Sequence, residues 1–241
     1  MTRTEHAAPQ WLERIVTRPP ADDRAVNPVL HRQAPDNAKV RDASVLVLFG
    51  GSEESDPVSL GGLPENADVL LTQRAATLRQ HSGQVAFPGG AADPGDDGPI
   101  ATALREAEEE TGLDPSGVRA LAVLPGIFVP PSGFDVTPVI GYWERPTPIR
   151  PVDHGETALV SRVPIRSLLD PDNRFVVEHR LGYRGPAFQI DGLLVWGFTA
   201  GVLAGLISVS GWEIEWDHKD VRDLDVTLAE VEAGVTEVHD R

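Results

Sequence analysis

The chain has no cysteine, a single methionine and only 6% aromatic residues, and its 21 Lys and Arg are outnumbered by 37 Asp and Glu. Each shortage excludes something. Without cysteine there is no disulfide, no thiol nucleophile and no zinc-cysteine site, which fits a cytoplasmic setting. A net charge of −16 disfavours lasting contact with nucleic acid or an anionic membrane, where neutralised phosphates supply the affinity. Neither partner is expected, and a homodimer is left open. The first residues lack the apolar stretch of a secretory leader, so none is expected there.

Long apolar runs are also scarce. One segment, 192–212, carries no charge and is long enough to span a bilayer, with Gly197, Gly201 and Gly205 at four-residue spacing. Its five glycines weaken it as a membrane span, and Leu193 to Trp196 reads as a strand followed by one buried helix over 198–208. At 241 residues, 41% hydrophobic, the chain is long enough for a sizeable core. The expected division is a loosely packed N-terminal extension over 1–38, a main domain over 39–220 and an acidic tail over 221–241. In that tail a helix is expected at 228–232.

What is present in excess is carboxylate, concentrated in Arg105-Glu106-Ala107-Glu108-Glu109-Glu110-Thr111-Gly112-Leu113. Pro99 after Asp97-Gly98 suits a first helical position, and Gly112 stands where a left-handed cap would close the helix. Ile100, Ala103, Leu104 and Ala107 form a buried stripe on it, and Glu106, Glu109 and Glu110 recur at i, i+3 and i+4. A structural helix prefers cations in its last turn, and like charges at i, i+4 repel. Two readings follow: a solvated acidic face, or a site for a cation. Hard oxygen ligands suit Mg²⁺ or Mn²⁺. Upstream, Arg74, Arg79 and His81 lie on a loop that leads through a short strand with Gln84 to the Gly89-Gly90 turn. Arginine forks suit phosphate oxygens, and glycine lets backbone approach a ligand. Ordinary surface arginines are the alternative.

Strands are expected over 43–49, 69–72, 118–124 and 134–143, with an apolar run over 158–163. The segment 50–68 reads as a flexible hairpin loop. A short helix is expected over 165–169, and a hairpin over 175–189.

The run Arg105-Glu106-Ala107-x-Glu109-Glu110-x-Gly112-Leu113 resembles the core of the Nudix box of hydrolases that cleave nucleoside diphosphate derivatives. The leading part departs from that pattern: Gly90 is followed after five residues by Asp96 rather than Glu, and eight residues instead of seven precede Arg105. The string 72–90, with Thr72, Arg74, Arg79, Gly83 and Phe87-Pro88-Gly89-Gly90 in register, is similar to the segment before the box in the coenzyme A diphosphatase subfamily.

The resemblance implies an α/β (α+β) Nudix sandwich, a mixed sheet between helices with the box as loop-helix-loop. It implies metal-dependent hydrolysis of the diphosphate bond of CoA or acyl-CoA, giving 3′,5′-ADP and 4′-phosphopantetheine or its acylated form. Glu106, Glu109 and Glu110 would hold Mg²⁺ or Mn²⁺. Arg105 would orient a box carboxylate, with Glu109 at i+4 its natural partner. Arg74, Arg79, His81, Gln84, Gly89 and Gly90 would bind the substrate. The subfamily often has a Glu at the place of Glu156, which adds it to Glu109 as a catalytic candidate. Hydrolysis of ADP-ribose or NADH, or a non-catalytic sensor on the same fold, are the competing readings.

Overall fold

A computed structural model describes residues 1–3, 7–18, 27–75, 83–130 and 132–239, with backbone alone for 235–239. Its α-helices are α1 (Glu13–Thr17), α2 (Gly98–Thr111), α3 (Ile165–Leu169), α4 (Gly197–Ser210) and α5 (Leu224–His239). The main sheet is built on Arg41–Gly50, a run of alternating inward side chains that pairs in parallel with Phe134–Trp143 over its whole length, from Arg41 opposite Phe134 to Phe49 opposite Tyr142. Val118–Val123 lies antiparallel beyond Phe134–Trp143. On the other side comes Asp68–Arg74, which carries both Val85–Ala86 and Thr157–Pro164 as antiparallel neighbours. A second sheet joins Arg174–His179, Tyr183–Ile190, Leu193–Val195 and Val221–Asp223.

The period of two along Arg41–Gly50 divides the protein into layers. Leu46 and Leu48 turn to one face, where Ala103 and Ala107 of α2 meet Leu70, Val139 and Trp143. Val47 and Phe49 turn to the opposite face and the larger core, against α1 and α4. A mixed sheet between helices is thus what the chain forms, as expected. Most expected strands and helices fall within a residue or two of their places.

Two expectations are corrected. The N-terminal segment is not loosely packed: Trp11, Leu12, Ile15 and Val16 are all buried in the main core. The Trp11 ring lies 5.6 Å from Trp212 and edge-on to Phe49 at 6.3 Å, and its Nε1 donates to Ser52 O at 2.9 Å. Four apolar residues in six cannot be left in water when α4 offers an apolar surface on nearly every side. At the other end, α5 is longer than the short helix expected at 228–232, because Leu224, Leu228 and Val231 at i, i+4 and i+7 cover the second sheet.

The uncharged segment also resolves into strand and helix. Leu193–Val195 ends before α4, and among the described residues no helix is long and apolar enough to cross a membrane. Gly201 has a packing reason. A Cβ there would stand 2.7 Å from Val29 Cβ, and its carbonyl accepts from Asn27 Nδ2 at 2.6 Å. The loop after Gly50 is pinned too, since Gly61 at φ 59° sits against the Trp212 ring.

Trp11→Ala is expected to cost about 3–5 kcal/mol, the usual range for emptying a fully buried aromatic site. Urea unfolding of the full chain measures it, and a loss below about 1 kcal/mol would return this segment to the status of a loose extension.

Candidate active site

The acidic helix α2 starts and ends as its sequence dictates. Gly98 turns into it at φ 78° and Pro99 follows in the first turn, while Gly112 closes it at φ 67° with its N–H on Glu108 O at 2.9 Å. The helix end then meets the loop after Trp143. Val152 N–H donates to Glu110 O at 3.2 Å and Arg150 N–H to Thr111 O at 2.9 Å, so two carbonyls of the last turn are satisfied by neighbouring backbone. Chain direction carries this loop on to Glu156, whose carbonyl accepts from Ala75 N–H at 2.8 Å. Glu156 is thereby fixed beside the end of Asp68–Arg74, where a bulge between Gln73 and Arg74 re-aims the strand.

Around α2 the carboxylates separate into two groups. The expected Gly89-Gly90 turn is instead part of a short strand, Gly89–Ala91, paired antiparallel with Ala43–Val45, and Glu106 and Glu110, one helical turn apart, lean towards it. Gly89 N–H donates to Glu110 Oε2 at 3.2 Å, and a Cβ on Gly90 would stand 2.5 Å from Glu106 Oε2. The missing side chain of Gly90 is what lets that carboxylate lie there. Glu109 turns the other way, 59% exposed, to Arg105 Nη1 at 3.1 Å. Among the described residues no three acidic or histidine side chains converge closely enough to hold a metal ion.

Arg105 forms the expected i, i+4 pair with Glu109 and approaches Glu106 at 3.1 Å as well, but its strongest engagement is with Asp96. Nε donates to Oδ1 and Nη2 to Oδ2, both at 3.0 Å, and Nη2 also reaches Ala91 O at 2.9 Å. Thr102 Oγ1 and Asp93 N–H each donate to Asp96 Oδ2 at 2.9 Å. The shorter Asp side chain and the extra loop residue therefore still deliver a carboxylate to the arginine fork. This role of Asp96 is one that the sequence reading missed; the signal was its place five residues after Gly90.

The electrostatics follow from these contacts. The Arg105 guanidinium and its other donors hold Asp96 well below the usual carboxylate range, and Arg105 is raised in turn. Burial pushes Glu106 up against the lowering charge of Arg105. Glu110 is pushed up to about 7, chiefly by burial, with the charges of Glu106 and Glu156 adding to it and the Gly89 N–H and Arg74 working against it. Arg74 and Glu156 are thus within electrostatic reach of Glu110. The Arg74 Nε is buried with no hydrogen-bond partner among the described residues. Gln84 accepts the Arg74 N–H on its own carbonyl at 3.0 Å. Arg79 and His81 lie outside the described residues.

A family model described as the NUDIX domain matches residues 55–179. "Uncharacterized Nudix hydrolase NudL" from Cronobacter sakazakii (strain ATCC BAA-894) is 42% identical over 141 residues, which cover 57% of this chain and 72% of that protein. The protein of the same name from Escherichia coli (strain K12 / DH10B) is 39% identical over 143 residues, with the same two coverages. Among solved structures, a Nudix hydrolase from M. smegmatis, RenU, is 25% identical with a TM-score of 0.40, over 53% of this chain and 73% of that one.

These two glycines should respond differently to alanine. In Gly89→Ala the new Cβ runs into the backbone of the paired strand, Ser44 O, at a φ of 157°, so a stability loss of roughly 2 kcal/mol or more is expected. In Gly90→Ala it meets only the movable end of Glu106, so the melting temperature should hold while turnover falls about tenfold or more through the displaced carboxylate. Thermal melts beside activity assays separate the two, and a Gly90→Ala enzyme with wild-type turnover would remove Glu106 from the site.

Proposed function

Because this chain belongs to the Nudix hydrolases, we propose that it cleaves the diphosphate bond of coenzyme A or an acyl-CoA, with Mg²⁺ or Mn²⁺, to 3′,5′-ADP and 4′-phosphopantetheine or its acylated form. The observation that carries the reading is the contact between the string 72–90 and the acidic helix. The segment that resembles the CoA diphosphatases ends in the strand Gly89–Ala91, seated on the Glu110 and Glu106 carboxylates.

The residues present fit a divalent cation. Glu106 and Glu110 offer hard oxygen donors one turn apart, and both resist ionising where they are, so added positive charge is favoured between them. Glu109 would complete the set by turning from Arg105, a movement that its exposure leaves open. Bound there, the cation would offset charge on the diphosphate oxygens and make a water more acidic. Around it the chain supplies the rest. Arg105, held by Asp96, sets the direction of Glu106 and is the partner that Glu109 leaves. Glu109 and Glu156 are the carboxylates available to take a proton from the attacking water. Hydrolysis adds that water across the P–O–P bridge, one phosphate gaining the hydroxyl oxygen and the other leaving as the bridging oxygen's phosphate.

Arg74 is assigned to the diphosphate rather than to the 3′-phosphate, since its charge reaches Glu110. Such a fork on phosphate is a charge-assisted contact. Purified protein should hydrolyse CoA only with Mg²⁺ or Mn²⁺ present, and a preference for ADP-ribose or NADH would overturn the substrate. Glu110→Gln should abolish most turnover at unchanged or raised stability, because it relieves like charge at a helix C-terminus. Arg74→Ala should lower kcat/KM by roughly ten- to a hundredfold, equally for CoA and dephospho-CoA. A loss confined to CoA would move Arg74 to the 3′-phosphate.

A further inference from the structure

Thr199 and Val85 are joined across 114 positions of sequence: the buried Thr199 Oγ1 donates to Val85 O at 3.1 Å. Among the described residues the strand Val85–Ala86 has a strand neighbour on one side only, with Thr72 opposite Ala86 and Gln73 opposite Val85. Gln84 O accepts from Arg74 N–H on that same side, which leaves the Val85 carbonyl turned the other way, to the first turn of α4. Four residues further on, Gly89 N–H holds Glu110. The start of α4 is itself fixed from the second sheet. Tyr183 Oη accepts the Gly197 N–H at 3.0 Å, and its ring meets Trp196 edge-on at 5.7 Å. Tyr183, Gly197 and Thr199 all lie beyond the residues that the family model matches.

We propose that Thr199 is a positioning residue for substrate binding. Through Val85 it fixes the arm 83–87, which carries Gln84 beside Arg74 and leads into the strand Gly89–Ala91 already paired with Ala43–Val45, so that the second sheet and α4 act as a buttress for the active site. The proposal rests on the reading that this arm holds the substrate. A hydroxyl is needed because the Val85 carbonyl is turned into the core, where an acceptor without a donor is costly and the strand would shift to find one. A substrate gripped by a displaced arm is bound less well, whereas Glu106 stays with Arg105 and Glu110 stays with the Gly89 N–H, which the pairing of Gly89–Ala91 with Ala43–Val45 keeps in place.

The test uses the full chain with Thr199→Val, which keeps the shape and removes the donor, and Thr199→Ser, which restores it. Hydrogen–deuterium exchange should quicken in 83–87 in the Val variant, with the interior of α2 and the second sheet unchanged, and return towards wild type in the Ser variant. With CoA and Mg²⁺, KM should rise about tenfold in the Val variant while kcat stays within about twofold, as expected when only binding is weakened. Unchanged exchange in 83–87, or quickening spread over the whole chain, would overturn the proposal. So would a wild-type KM in a Val variant that hydrolyses CoA. If wild type itself does not hydrolyse CoA while the exchange stays local and Ser restores it, the positioning role stands and the substrate assignment falls.

Discussion

Arg105 has five N–H donors in a rigid fork, and the way it distributes them sets the geometry of the acidic helix. Two go to the oxygens of Asp96, one of the same nitrogens also reaches Ala91 O, and Nη1 stands between Glu106 and Glu109. A cation is required here on elementary grounds. Glu106, Glu109 and Glu110 crowd the end of a helix whose dipole already disfavours them. Because Asp96 fixes the guanidinium on one side, the carboxylates on the other side are directed by a group that itself cannot move.

Carboxylates are also pinned by backbone. The Gly89 N–H and the bare Cα of Gly90 let the strand Gly89–Ala91 lie against Glu110 and Glu106, and the helix end is closed by the N–H groups of Arg150 and Val152. The two segments come from different parts of the chain. The site is therefore a junction of two backbone segments around one acidic helix, with Arg74 and Glu156 drawn in by the strand and loop that connect to them.

What was legible in the sequence was what depends on near neighbours. The helix over 98–111 with its glycine end follows from spacing and from the left-handed preference of Gly112, and Arg105 with Glu109 follows from i, i+4 geometry. What was not legible depended on partners far away. Asp96 lies nine residues from Arg105 on an irregular turn, so no periodicity announces the fork. The amphipathic run at Trp11 was visible, but its covering surface, α4 and Trp212, was not, and the run therefore looked like an extension. Thr199 carried no signal at all, since one threonine in an apolar helix gives no hint that a strand carbonyl 114 positions earlier needs a donor.

The burial of that first amphipathic run bears on how the molecule comes to exist. Asn27 closes on Gly201 across 174 positions, and Trp11 stacks on Trp212 in the same core. Contacts of such separation close slowly, because the entropy of the intervening loop must be overcome before they give anything back. A chain emerging from the ribosome can form α2 and its nearest strands early, but the larger core has to wait until α4 has been synthesised. Until then the apolar residues of α1 stay uncovered, and the last third of the sequence sets the moment at which Trp11, Leu12, Ile15 and Val16 join the folded core.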